Sequence, residues 1–466
     1  MINTLAMLLA TSGQPPTIPV GTRPVPPTLV VVTPAALAPS LQEYVAERSK
    51  THRVTRLLLP HALLAPGRDD PERLKRWLFD DWSKAGKPAD YSVLLVGDAD
   101  VLPVRYMVLD RVTEPAFDYA FYPSDLYYAD LARDDGSFDD WNAATVGFHA
   151  GYFGEVRGEK NKNDPMNYDM VSYTPEIAVG RWPVSTPEAT LAVAKKTIAY
   201  GRAVAEAKSK PKAAAVMVGG WIDARPTLDA HARAIEPGFN VTRLFYHDGD
   251  GATTSWASYS TPTAASVTAL LSGTDPVRLV FHAGHGADTA WDQCISVSDI
   301  PAMNDAAFPA VIFSAGCSTA RFATLPPYEA YEDVKGVEHK GTNAGEVFQE
   351  PPPPPAVYAK GSHNMSGLGE ELLRAPAGGA VVYIGCNTGS QPAALTIMAG
   401  FVDGITTLTP PSGQRPTAGA CWKHAIAEYV KRETLMGLKP TADWYPASIF
   451  FQGMKFMFFG DPTAPI

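Results

Sequence analysis

Cysteine is scarce in this chain of 466 residues, which contains only Cys294, Cys317, Cys386 and Cys421. No CxxC pair or other metal-ligand spacing links these four residues. A disulfide framework is not expected, because such frameworks depend on several paired cysteines.

Long apolar runs and an excess of positive charge are also missing. No segment approaches the roughly 20 apolar residues of a membrane span, so a membrane is not an expected partner. The formal net charge is −10 and the Lys and Arg residues are scattered, which argues against nucleic acid and favours a basic substrate. With 45% hydrophobic and 19% charged residues, the composition is typical of a globular protein.

The amino terminus lacks a basic segment. The first residues, MINTLAMLLATSG, hold a short apolar stretch with no Lys or Arg before it. Because secretory signals usually begin with basic residues, we expect a cytoplasmic protein, with secretion as the alternative. Residues 1–27 are predicted to form a tail.

Strand-like and helix-like segments alternate along the rest of the chain, which predicts an α/β fold with a parallel sheet. The KSKPK stretch at 208–212 marks a predicted boundary between subdomain A, residues 28–207, and subdomain B, residues 208–466. The predicted strands are 28–32, 55–60, 91–97 and 175–183 in the first half and 213–220, 240–247, 276–284, 309–316 and 378–385 in the second.

An insertion at about 324–366 separates the last two of these strands. It contains the run QEPPPPPAVYAKGSHNMSG and has no clear periodicity, so extended polyproline II structure is predicted. Loops of this length are often functional, although a surface insertion without a role fits equally well.

Two successive strands of the second half end in reactive side chains. His285 follows the strand in FHAGHG, and Cys317 follows the strand in VIFSAGC. Because the carboxyl ends of parallel strands meet at one edge of a sheet, we expect a thiol nucleophile beside an imidazole proton carrier. For either residue alone, a structural role would be the better interpretation.

The stretches HAGHGADTAW, AVIFSAGCSTARF and GGAVVYIGCN resemble the catalytic core of the gingipain family, cysteine peptidases related to caspases and legumain. Further similar stretches, from LLVGDADVLP to the terminal FGDPTAP, extend the resemblance over roughly residues 90–466. It implies an α/β/α sandwich with two adjacent, mostly parallel sheets.

The resemblance assigns the catalytic histidine to His285, the nucleophile to Cys317, and the oxyanion hole to the backbone N–H groups of Gly286 and Cys317. His282 lies inside the strand and is expected in the core. Cys386 is the second-choice thiol.

Cys386 and Asn387, at the end of another strand, are also predicted to contact substrate. Cys294 and Cys421 are expected to pack passively.

The resemblance further implies that an acidic residue binds a basic P1 side chain. Asp229 fits best by its spacing from Gly219 and Gly220, with Asp223 as the alternative, although both could be helix caps. Gingipains place a glutamate that supports the histidine where this chain has Val218, so the group that orients His285 is left open.

The segment DLARDDGSFDD at 130–140 has the carboxylate density of calcium sites. Members of the family bind calcium, so the resemblance makes a structural calcium ion on Asp130, Asp134, Asp135 or Asp139 a hypothesis. A solvated acidic loop is the alternative, and the chemistry itself is expected to need no cofactor.

The resemblance thus predicts a cysteine endopeptidase that cleaves after Arg, perhaps Lys, through a thioester. Because the chain ends at FGDPTAPI without the further domains of secreted gingipains, an intracellular bacterial enzyme is expected. Cleavage of the insertion at Lys335, Lys340 or Lys360, by the enzyme itself or by an upstream protease, would then activate a zymogen. An inactive peptide-binding scaffold and a transpeptidase are the alternatives.

Overall fold

The computed structural model describes residues 26–108, 120–144, 151–154, 167, 169–247, 256, 258–350, 352–359, 366–409, 415–437 and 452–466. Ten strands of this part form one sheet. They are β1 (Thr28–Thr33), β2 (Arg53–Leu58), β3 (Tyr91–Val96), β4 (Ala178–Trp182), β5 (Lys212–Met217), β6 (Asn240–Phe245), β7 (Leu279–Ala283), β8 (Ala310–Ser314), β9 (Ala380–Cys386) and β10 (Phe456–Gly460).

The spatial order of the strands is β2-β1-β3-β4-β10-β9-β8-β7-β5-β6. Neighbouring strands run parallel except β9 and β10, which are antiparallel. The last strand, β10, lies between the two halves and meets β4 through the pair Phe459 and Arg181. The two sheets expected from the sequence are therefore joined edge to edge, and the boundary near residue 208 stays a prediction.

Helices cover both faces of the sheet, as residues that alternate along a strand reach opposite cores. In β1, Val30 and Val32 enter one core, whereas Leu29 and Val31 enter the other. The α/β/α sandwich is thereby confirmed. The longer helices are α1 (Gln42–Arg48), α2 (Asp70–Lys84), α3 (Pro187–Glu206), α4 (Arg225–Ile235), α5 (Ala264–Leu270), α6 (Leu368–Arg374), α7 (Ala394–Thr407) and α8 (Ala418–Arg432).

Local sequence signals explain where the two longest early helices begin. Asp69 caps α2 by accepting a hydrogen bond from the Glu72 amide, and Thr186 caps α3 in the same way. A proline follows within the first turn of each, where its missing N–H costs nothing. No helix within the described ranges is long and apolar enough to cross a membrane.

The remaining elements are short. The helical turns are Ala38–Leu41, Leu59–Ala62, Leu126–Ala129, Val297–Met303, Thr342–Ala344, Leu435–Gly437 and Gln452–Lys455, and the two-stranded pairs are Tyr106–Val108 with Phe121–Pro123, Gly286–Ala287 with Ala290–Trp291, and Tyr331–Glu332 with Glu338–His339.

The insertion contains more structure than its sequence predicted. A hairpin of Tyr331–Glu332 and Glu338–His339 forms at its centre, and the proline run lies beside it. The Pro352 and Pro353 carbonyls accept hydrogen bonds from tyrosine hydroxyls. Proline has no amide hydrogen but keeps its carbonyl, so the run can accept hydrogen bonds without donating any.

Candidate active site

The pairing of β7 with β8 brings the two predicted catalytic residues to one edge of the sheet. The strands are parallel, and His282 lies opposite Ser314. His285 and Cys317 each follow three residues beyond this pair. The two loops therefore leave the sheet side by side.

Gly286 lies against the loop that follows β8 and carries Cys317, termed here the nucleophile loop after the predicted role of Cys317. A β-carbon at this position would lie 2.6 Å from the Cys317 carbonyl oxygen and 2.6 Å from the Thr319 methyl group. Real β-carbons do not approach backbone this closely, so only glycine fits. The backbone amides predicted to form the oxyanion hole thus belong to two segments in contact.

The imidazole of His285 is held by a backbone carbonyl. Its Nε2 lies 2.7 Å from the carbonyl oxygen of Gly220, so Nε2 carries the proton that it donates in this bond. Val218, which stands where gingipains have a glutamate, instead packs at Gly284, where a β-carbon would lie 2.3 Å from its Cγ2. The sequence left the partner of His285 open, and in the structure a backbone carbonyl contacts this histidine.

Cys317 is half-buried, and its sulfur contacts the loop after β9. The Ser390 amide donates a hydrogen bond to Sγ at 3.3 Å. The next residue, Ser318, has a φ of 57°, a left-handed conformation that is uncommon outside glycine and often found at functional sites. Its amide donates to the Thr388 carbonyl at 2.8 Å, which fixes the nucleophile loop to the same segment.

His282 is part of the core, as predicted. Its Nδ1 lies 2.9 Å from the Ser314 hydroxyl, and its ring stacks on Trp291 with centroids 4.1 Å apart. Burial lowers the pKa of His282 to about 3. This histidine is neutral at ordinary pH and is enclosed by the sheet, so it cannot exchange protons with a substrate.

The other three cysteines are buried. Burial raises the pKa of Cys386 to about 11 and that of Cys294 to about 12, and it also raises the pKa of Cys421. Asn387 is fully buried and donates to the Pro123 carbonyl at 2.6 Å. The Cys386 and Asn387 side chains, which were predicted to contact substrate, are both buried in this structure.

Both acidic candidates for the P1 pocket have arginine partners. Asp229 is buried in α4 and forms ion pairs with Arg233 and Arg243, both at 2.7 Å. Asp223 follows the Gly220 segment and pairs with Arg225 through two bonds of 2.8 and 2.9 Å. Its side chain stays 44% exposed. Of the two, only Asp223 keeps an open face, and it lies three residues after Gly220, whose carbonyl contacts His285.

The predicted calcium ligands do not converge. Asp134 and Asp135 are exposed, whereas Asp130 and Asp139 are buried and accept hydrogen bonds from protein donors such as the Ser172 hydroxyl and amide. The buried Lys75 ammonium lies among these groups and donates to the Asp139 carbonyl at 2.7 Å. Within the residues that the structure describes, no three His, Cys, Asp or Glu side chains form a metal site.

Sequence reasoning missed an ionic link between the loops. The Arg321 guanidinium, buried four residues after Cys317, binds Asp288 at 2.7 Å and also Glu329. It therefore ties the histidine loop, the nucleophile loop and the start of the insertion together. An arginine shortly after an apolar strand was the available signal, because buried guanidinium groups need anionic partners.

Comparison with known proteins decides the family. The profile of peptidase family C25 matches residues 22–466. The chain belongs to this family. It is thus a cysteine peptidase of the gingipain family, which confirms the resemblance. A search of curated proteins gives no match.

Solved structures agree on the fold of this C25 peptidase. A structure described as a protease has a TM-score of 0.56 at 16% identity and covers 95% of this chain and 79% of that chain. The Arg-specific cysteine proteinase gingipain R gives a TM-score of 0.56 at 13% identity, with 97% and 80% covered. The complex of the pro- and mature domains of Porphyromonas gingivalis RgpB gives 0.55 at 13%, with 94% and 79% covered.

The buried His282 predicts a pH dependence of stability. Its folded-state pKa of about 3 lies below the ordinary value of about 6.5, so the unfolded chain takes up a proton first as the pH falls. Stability is complete above pH 6.5 and is lost towards pH 3, with a limiting slope of about 1.4 kcal/mol per pH unit. In the His282→Gln variant, the free energy of unfolding should fall less between pH 7.5 and pH 4.5 than it does in the wild type. Urea unfolding at a series of pH values measures this difference.

Burial also lowers the pKa of His231, to about 4. Its effect on the stability at low pH is the same in the wild type and in His282→Gln, so it cancels when the two are compared. Parallel pH curves for wild type and His282→Gln would contradict the assignment.

Proposed function

We propose that this C25 peptidase hydrolyses peptide bonds with Cys317 as nucleophile and His285 as general base and acid. The observation that carries the proposal is the contact of the Gly286 backbone with that of Cys317, because it brings the histidine loop onto the nucleophile loop. The bond from His285 Nε2 to the Gly220 carbonyl leaves the Nδ1 lone pair for the thiol proton.

In the first half of the reaction, the thiol gives its proton to His285 and the sulfur attacks the peptide carbonyl carbon. The backbone N–H groups of Gly286 and Cys317 stabilise the resulting oxyanion. The C–N bond then breaks, and the amine leaves with the proton from His285. The Gly220 carbonyl stabilises the imidazolium between these transfers.

In the second half, a water molecule attacks the thioester carbon while His285 takes a proton from that water. The C–S bond breaks, the carboxylic acid leaves, and the proton returns to the Cys317 sulfur. An amine in place of water would give transpeptidation. Side chains and water balance every step, so the proposed chemistry needs no cofactor.

Replacement of either group should abolish turnover. Cys317→Ala and His285→Ala are each expected to lower kcat on fluorogenic peptides by about a thousandfold or more, since the nucleophile and its base act as a unit. Cys294→Ala removes a buried thiol outside the site and is the matched control.

Unchanged rates in Cys317→Ala would refute the assignment. A wild-type enzyme that stays silent on every peptide after limited proteolysis would instead favour a peptide-binding scaffold.

We further propose that the substrate has a basic P1 residue and that Asp223 binds it. A carboxylate has about four lone-pair directions. Arg225 uses two on Oδ1, through its backbone amide and Nε, and one on Oδ2, through Nη2, so Oδ2 can accept one further hydrogen bond from a substrate guanidinium. The Arg225 hydrogen bond lowers the pKa of Asp223, which keeps this carboxylate charged. Asp229 instead serves the packing of α4 against β6.

Two isosteric variants separate these roles. Asp223→Asn should lower kcat/KM for P1-Arg peptides by about 10- to 100-fold, the contribution of a hydrogen bond to a charged group, while P1-Leu peptides change little. Asp229→Asn should lower the urea midpoint and leave the Arg-to-Leu ratio unchanged. The reverse pattern would transfer the P1 role to Asp229.

We also propose that cleavage at the insertion hairpin regulates the enzyme. Lys335 occupies the exposed tip between Asp333 and Val337, and proteases prefer exposed loop tips. Lys340 is exposed nearby, whereas Lys360 lies outside the described residues. Arg321 and Arg374, which flank the insertion, are held in ion pairs.

Lys335→Ala tests this proposal, with Lys340→Ala as the matched control. On incubation, the wild type and the control should be cut at residue 335 and gain activity, whereas Lys335→Ala should stay intact with low activity. Mass spectrometry and peptide hydrolysis on the same samples report both. Full activity in the intact chain would refute regulation by cleavage.

A further inference from the structure

The loop at residues 387–391, termed here the thiol loop, covers the nucleophile. Its Ser390 amide donates to Cys317 Sγ at 3.3 Å, and the protonated thiol donates in turn to the Ser390 carbonyl at 3.7 Å. A hydrogen bond donated to sulfur is stronger when the sulfur is a thiolate. The position of this amide therefore affects how readily Cys317 ionises.

The helical turn Gln452–Lys455 is hydrogen-bonded to the thiol loop. The Lys455 ammonium donates to the Gly389 carbonyl at 2.5 Å, directly before the amide that contacts the sulfur. The backbone N–H of Asn387 donates to the Lys455 carbonyl at 2.9 Å. At the other end of the thiol loop, the backbone N–H of Gln391 donates to Gln452 Oε1 at 2.9 Å.

Lys455 is buried, and its ammonium group donates to a carbonyl, with no ion pair to a carboxylate found among the described residues. Burial lowers the pKa of Lys455, and the groups that counteract this are the thiols of Cys386 and Cys317. Cys386 is fully buried and, with a pKa raised to about 11, stays protonated. The geometric link between Lys455 and Cys317 is the peptide group of Gly389 and Ser390, whose carbonyl accepts from the ammonium and whose amide donates to the sulfur.

We propose that Lys455 is a positioning residue for Cys317, because it fixes the thiol loop so that the Ser390 amide meets Sγ and its positive charge favours the thiolate. The role of Lys455 in catalysis rests on the proposed function, in which the Cys317 thiolate attacks the substrate. The inference about the thiol itself requires no substrate.

The rate at which iodoacetamide alkylates Cys317, followed by peptide mass spectrometry across pH 5 to 10, tests the proposal. Within the part of the chain that the structure describes, the titratable groups near this thiol include Cys386, Lys455 and, on the loop that Gly286 brings against Cys317, His285. In Lys455→Met the midpoint of the rate profile should rise by about one pH unit, so the rate below the midpoint falls about tenfold. Lys455→Arg, which keeps the charge, should retain more of the wild-type rate.

Lys196→Met is the matched control. Lys196 is also buried, and within the described ranges it donates to the carbonyls of Leu372 and Gly378, near the opposite end of β9. Its replacement should leave the profile unchanged. If Lys455→Met fails to fold, Lys455→Gln decides, because it keeps a donor near Gly389 and removes the charge.

An unchanged midpoint in a folded Lys455→Met or Lys455→Gln protein, or an equal shift in Lys196→Met, would overturn the proposal. Peptide hydrolysis provides the separate test of function. A shifted alkylation profile in an enzyme that cleaves no peptide would leave the inference standing and remove the proposed reaction, whereas normal hydrolysis with an unshifted profile would do the opposite.

Discussion

The position of His285 beside Cys317 at one edge of the sheet depends on one strand register, in which His282 on β7 pairs with Ser314 on β8. Their side chains also form a buried hydrogen bond, so a slip between the strands would leave polar atoms unpaired in the core, at a cost of about 1–3 kcal/mol for each. The contact of Gly286 with Cys317 follows from this register. His282 therefore supports the site without taking part in the chemistry.

Backbone groups, rather than side chains, contact both His285 and Cys317. The Gly220 carbonyl orients His285, and the Ser390 amide contacts the nucleophile. A hydrogen bond to a neutral carbonyl is weaker than one to a carboxylate, so the imidazolium gains less stabilisation than a glutamate would give. In the proposed arrangement, Lys455 acts on the sulfur side instead, because it holds the loop whose Ser390 amide contacts Cys317.

Strand ends were the part of this protein that its sequence revealed best. Apolar runs followed by His-Gly or Gly-Cys predicted β7, β8 and their reactive loops, because buried parallel strands have a distinctive composition. Backbone contacts such as that of Gly220 leave no mark on residue identity. The partners of Asp229 and Asp139 could not be predicted either, because Arg243 and Lys75 approach from other elements. The hairpin of the insertion was obscured by its proline-rich surroundings.

The ties of the insertion limit what a cut at its tip could release. Arg321 holds Glu329 on the amino-terminal side, while the Tyr152 hydroxyl holds the Pro352 carbonyl and the Val104 amide holds the Val357 carbonyl on the other. Both ends would stay attached to the body after cleavage at Lys335. A change in activity would therefore come from freedom gained by the hairpin strands, and the link from Arg321 to Asp288 and the histidine loop would remain in place.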